Sequence, residues 1–200
     1  MASNRIVVGL GDSTTAGTPG FLSPVEAPPD GRGNRESQYS YWMMKTHPDW
    51  TVLNKGVNGE RSDEILSRFE KDVVKEKPEV VVILAGVNDI YQRGTADSVE
   101  RNLEKMYALA ERNRIVPLAA TVLPYNTAGR EEADAIREVN AWVEKASRAP
   151  GRLFCDTNLA VRDSADPNLL SSSPDGLHPD VEGYRRMGMA ISATLERAGY

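Results

Sequence analysis

Ser13 stands in IVVGLGDSTTAG (residues 6–17), where an apolar run ends in small residues, an aspartate and hydroxyl side chains. Two chemistries suit such a junction. A glycine-bearing loop after a strand can cradle phosphate at the N-terminus of the next helix. The same position can hold a nucleophile at the mouth of a sheet. The phosphate pattern is poor, because G-x-G-x-x-G from Gly9 would need glycine where Thr14 stands, and a Walker loop would need Gly-Lys-Ser/Thr. Hydroxyls from Ser13 to Thr18 could grip an anion, but Asp12 would repel it. A nucleophilic serine instead demands a base, a carboxylate to orient that base, and donors preset for the oxyanion.

The chain has 2 histidines to supply the base. His47, in MMKTHPDW, reads as an exposed residue at a helix end that Pro48 terminates. His178 lies in PDGLHPD, a turn sequence before the final amphipathic segment, with Asp175 three residues earlier. On a tight Asp-Gly-Leu-His turn the carboxylate reaches the near ring nitrogen, fixes the tautomer and leaves the far nitrogen facing outward. A capping aspartate beside a surface histidine would give the same spacing. Candidate donors follow two strand-like runs. After TVLN comes NKGVNG, ending in Gly59, whose lack of a side chain permits positive φ and close backbone approach. After VVVILA comes GVND, where Asn88 can present an amide N–H.

These residues meet only if the right elements carry them. Residues 5–10 (RIVVGL), 51–54, 79–85, 115–122 and 152–155 read as strands, the third almost continuously apolar as a covered central parallel strand should be. Between them run amphipathic stripes: Ile65, Leu66, Phe69, Val73, Val74; Val99, Leu103, Met106, Tyr107, Ala110; Ala133, Ile136, Val139, Val143; and Val181, Tyr184, Met187, Ile191, Leu195. The alternation predicts a three-layer α/β/α sandwich on a parallel sheet, as one domain spanning residues 1–200. The loops after its strands then gather Ser13, Gly59, Asn88 and His178 at the carboxyl edge, where such sheets bind ligands. Residues 17–37, rich in proline and glycine, break the rhythm and are expected to shape the site.

Net charge −5 with no basic run argues against a nucleic-acid partner. VVVILAGV is too short to span a membrane, and no signal-peptide core precedes Asp12, so a cytoplasmic protein is expected. The single Cys155 excludes an internal disulfide and a cysteine-rich metal site, and reads as a core residue pointing in from a strand. Oligomeric state is not legible.

With these residues in view, the chain resembles the SGNH hydrolases, or GDSL-type esterases and lipases, over nearly its whole length. Gly11-Asp12-Ser13, Gly59 within N-x-G-x-x-G, Gly86-Val87-Asn88-Asp89 and Asp175-Gly176-Leu177-His178 match the family's four blocks in order. Thr14 departs from the leucine of the name-giving motif. The resemblance implies a flavodoxin-like five-stranded parallel sheet in the order 2-1-3-4-5. It also implies ester hydrolysis through an acyl-serine, without metal or cofactor. Ser13 would be nucleophile, His178 base and Asp175 its orienting acid, with an oxyanion hole from the Ser13 and Gly59 N–H groups and the Asn88 side chain.

The expected substrate is a small ester with a short or polar acyl group, since the surrounding loops lack a broad apolar surface. Pocket walls are expected from residues 17–37, 90–94, 123–126 and 169–174, with Asp12, Tyr91, Tyr125 and Arg61 as candidate substrate contacts. Arg61 reads first as a solvated residue at a helix start. Carbohydrate O-acetylester hydrolysis is the alternative within the same chemistry. A non-catalytic flavodoxin-like module binding phosphate or a nucleotide is the alternative outside it.

Overall fold

The apolar runs pair into one parallel sheet in a computed structural model that describes residues 5–200. Residues 1–4 of the expected domain lie outside the described residues. In chain order the elements are β1 (Arg5–Gly11), α1 (Ser13–Ala16), β2 (Phe21–Leu22), β3 (Arg32–Gly33), α2 (Tyr39–Thr46), β4 (Trp50–Gly56), α3 (Ser62–Ser67), α4 (Phe69–Asp72), β5 (Val80–Leu84), α5 (Val87–Tyr91), α6 (Ala96–Arg112), β6 (Val116–Ala120), α7 (Arg130–Ala146), β7 (Leu153–Cys155), α8 (Thr157–Val161) and α9 (Val181–Arg197). The sheet runs β4-β1-β5-β6-β7, all parallel. Counting its own strands alone, that is the expected 2-1-3-4-5.

Every residue of β5 is buried, because helices cover both faces of the sheet. The period of two divides its side chains between layers: Val81 and Ile83 join the core under α3, α4, α6 and α7, while Val80, Val82 and Leu84 join the core under α2, α8 and α9. The stripes of α6, α7 and α9 are buried as their periodicity requires, except that Val181, at the start of α9, is only half-buried. Cys155 is a buried member of the second core. No helix among the described residues is long and apolar enough to cross a membrane.

Three expectations need correction. The stripe from Ile65 to Val74 is not one helix; it breaks at Arg68, between α3 and α4, and ends in a 3-10 turn over Val74–Glu76. His47 ends α2 but is not exposed there, since its ring stacks on Trp50 and pairs with Glu196 at 3.0 Å. Residues 17–37 form an antiparallel β2–β3 hairpin and a 3-10 turn instead of a wall for the site. This segment clasps the edge-strand end: Ser23 Oγ donates to Gly56 O at 2.5 Å, and Glu26 Oε1 accepts the Asn58 N–H at 3.0 Å.

Candidate active site

Ser13 opens the four-residue helix α1, directly beyond the end of β1. Asp12 caps that helix by accepting the Thr14 N–H at 2.9 Å, which turns the chain sharply and leaves Ser13 Oγ facing the carboxyl edge. Gly56 allows β4 to come close beneath α1, because a Cβ there would lie 2.0 Å from Ala16 N.

Helix α9 begins just after the Asp175–His178 turn. Asp175 Oδ1 accepts the N–H groups of Leu177 and His178, both at 2.9 Å, and this folds the turn back on its own carboxylate. Asp175 Oδ2 lies 2.7 Å from His178 Nδ1, and His178 Nε2 lies 2.9 Å from Ser13 Oγ. A carboxylate can only accept, so Nδ1 carries the ring proton and Nε2 receives the serine O–H. The imidazole side chain is 12% exposed. Burial pushes the Asp175 carboxyl up, but the His178 ring and the two turn N–H groups outweigh it and hold the group below its ordinary value.

The loops after β4 and β5 carry the candidate donors. Gly59 adopts φ +81 in the turn after β4. The Ser13 and Gly59 N–H groups donate to no protein acceptor among the described residues. Asn88 Nδ2 donates one hydrogen to Glu60 O at 2.9 Å and keeps its second free. Asp89 points elsewhere and holds the start of α3 through Ser62 N and Oγ at 2.8 and 2.7 Å.

A cavity of about 110 Å³ joins these groups, lined by Ser13, Thr14, Asn58, Val87, Asn88, Tyr91, Tyr125, Leu177 and His178. Gly59 adjoins it through Asn58 without lining it. Tyr91 and Tyr125 meet edge to face at 5.8 Å, Tyr125 buried and Tyr91 55% exposed at the rim. Thr14, the departure from the name-giving motif, is thus a buried pocket residue.

Two candidate contacts fall elsewhere. Asp12 is buried as a helix cap and does not line the cavity; burial drives its carboxyl up to about 7 against the opposing Thr14 hydrogen bonds. Arg61 is paired with Asp63 at 3.2 Å and lines a separate surface hollow with Gln92 and Arg93. Residues 17–37 and 169–174 contribute nothing to the lining. A larger cavity of about 330 Å³ opens beside α7, with Pro124 in its wall, and holds none of Ser13, Asn88 or His178.

Sequence reasoning missed Arg68. Its Nε donates to Glu60 Oε2 at 2.6 Å, Nη1 to Lys55 O and Asp72 Oδ2 at 2.8 Å, and Nη2 to Gly11 O at 2.8 Å. The signal available was a charged pair, Arg68 and Asp72, four residues apart within an apolar stripe.

A family model described as GDSL-like lipase/acylhydrolase matches residues 10–186. An acetylxylan esterase from Geobacillus stearothermophilus is 25% identical over 156 residues, 70% of this chain and 69% of that protein. Among solved structures, a G-D-S-L-family protein from Desulfitobacterium hafniense DCB-2 has a TM-score of 0.77 at 27% identity, covering 96% of this chain and 99% of its own. A GDSL-like lipase from Bacteroides thetaiotaomicron VPI-5482 has a TM-score of 0.75 at 25% identity, covering 98% of this chain and 89% of its own.

Proposed function

The chain belongs to the GDSL-like lipase/acylhydrolase family and is a carboxylic ester hydrolase, and from that premise we propose that Ser13 is its nucleophile and short acyl groups its substrates. The observation that carries the assignment is the continuous relay from Asp175 through His178 to Ser13, at 2.7 and 2.9 Å.

In the proposed reaction Ser13 Oγ attacks the ester carbonyl carbon while its proton passes to His178 Nε2. Asp175 stabilises the imidazolium and keeps the ring in register. The carbonyl electron pair moves onto oxygen, which accepts from the Ser13 and Gly59 N–H groups and the free Asn88 amide hydrogen. Collapse breaks the carbon–alkoxy bond, the alcohol leaves with the proton from Nε2, and an acyl-serine remains. Water then attacks that ester, giving its proton to His178, and the second collapse returns the proton to Ser13 as the carboxylic acid departs.

The cavity of about 110 Å³, closed by Val87, Tyr91, Tyr125 and Leu177, favours acetyl and other short acyl groups. Its size and the similarity to an acetylxylan esterase support a second reading of the same site, removal of acetyl groups from a carbohydrate. Ser13→Ala is expected to abolish p-nitrophenyl acetate hydrolysis and fluorophosphonate labelling while far-UV circular dichroism stays unchanged. Retained turnover would refute the assignment of Ser13. A panel of acyl chain lengths and acetylated oligosaccharides then separates the two substrate readings.

A further inference from the structure

Arg68 sits at the break between α3 and α4 with its guanidinium side chain only 12% exposed. Its partners lie at the ends of different elements. Gly11 is the last residue of β1, two before Ser13, and Lys55 is in the last pair of β4. Glu60 directly follows Gly59, and its backbone carbonyl is the acceptor for Asn88 Nδ2. Gly11 O also accepts the Val57 N–H at 3.1 Å, so the turn carrying Gly59 is hung from the strand that ends at the nucleophile. A single guanidinium therefore touches the supports of all three candidate oxyanion donors and none of the donors themselves.

We propose that Arg68 is a positioning residue for those donors, acting through Glu60 to fix the Gly59 N–H and the Asn88 amide relative to Ser13. The proposal rests on the assignment of Ser13, Gly59 and Asn88 made above. The physical ground is that an oxyanion hole stabilises the transition state only if its donors are already aimed when charge develops. Small displacements of such groups are costly to rate and nearly neutral to substrate binding. Backbone turns are soft, and the turn after β4 is exposed at Asn58 and Gly59. It needs an external brace. The planar guanidinium fork, with donors in fixed directions, can hold a carboxylate and backbone carbonyls from separate elements at once; an ammonium on a flexible stem cannot set those angles together.

The opposite side of the same guanidinium supplies the control. Asp72 anchors Arg68 to α4, whereas Glu60 anchors it to the donor turn. Three variants, Glu60→Gln, Arg68→Lys and Asp72→Asn, are compared in p-nitrophenyl acetate hydrolysis, thermal unfolding and ¹H–¹⁵N correlation spectra. Glu60, with its side chain 21% exposed, tolerates the neutral isostere without a packing change. Glu60→Gln and Arg68→Lys are expected to lower kcat by about ten- to a hundredfold with KM within about twofold. Both should shift the Gly59 backbone and Asn88 side-chain amide signals. Asp72→Asn is expected to lower the melting temperature while leaving kcat and those signals in place.

Equal kcat losses from Glu60→Gln and Asp72→Asn would overturn the proposal, leaving Arg68 a structural ion-pair centre. So would an unchanged kcat in Glu60→Gln, or a change confined to KM. The amide signals need no turnover. If Ser13→Ala retains activity, the assignment of the nucleophile fails, while the spectra still decide whether Arg68 sets the position of Gly59 and Asn88.

Discussion

Asp12 precedes Ser13 in the chain and Asp175 reaches it through His178, and their surroundings move the two carboxyl groups in opposite directions. Burial raises Asp12 from 3.8 to about 7, while the hydrogen bonds of the His178 turn hold Asp175 low. Between those two values the folded chain keeps a proton on Asp12 that the unfolded chain has released. The stability contributed by that proton is complete below about pH 4 and is lost as pH rises through about 7. Asp12→Asn keeps an acceptor for the Thr14 N–H and carries no charge. It is expected to be more stable than the parent at pH 8, by up to about 4 kcal/mol, and to keep only about 1 kcal/mol of that advantage near pH 4.5. Urea unfolding at the two pH values reads the difference directly. At this scale Ser13, Asn88, Asp175 and His178 were legible because their types and order suit one chemistry. Arg68 was not, because its partners Gly11 and Lys55 are backbone carbonyls, which leave no mark on a sequence. The inward turn of Asp12 was not legible, because a cap turned inward and a contact turned outward look identical in one dimension.

At the scale of elements, α5 does two jobs in little more than one turn. Asn88 is the proposed oxyanion donor, while Val87 and Tyr91, spaced i and i+4, share a face and wall the cavity. The proposed donor and the proposed acyl wall therefore share one short helix, which would tie chain-length selection to the alignment of the amide. Tyr91→Ala opens the rim without touching Asn88. It is expected to raise kcat/KM for hexanoate relative to acetate esters by about tenfold. An unchanged chain-length profile would show that Tyr91 does not limit the acyl group. The strands and the long helices α6, α7 and α9 were readable from periodicity, since burial on one or both faces imposes it. The proline-rich segment was not. Its length marks it as important, but only the structure shows it folding over the end of β4 to grip Gly56 and Asn58.

On the scale of the whole molecule, α9 must dock closely for the Asp175–His178 turn to reach Ser13. Its contact with α2 depends on Gly188, where a Cβ would lie 2.8 Å from both Tyr39 O and Trp42 Cβ. Gly188→Ala overpacks that seam, and backbone cannot yield as a flexible side chain can. A loss of about 1–3 kcal/mol is expected, seen in a thermal scan as a fall of about 2–12 °C. A melting temperature equal to the parent's would mean that the two helices can separate without cost.

The 2.9 Å contact between Ser13 and His178 joins residues 165 positions apart. A ribosome adding roughly 5–20 residues per second therefore makes the serine about 8–33 s before the histidine. On the proposed assignment, the growing chain therefore carries its nucleophile with no base beside it while the strands are still assembling. The proposed relay is complete only when α9 seats, so the order of synthesis itself delays the pairing of serine with base.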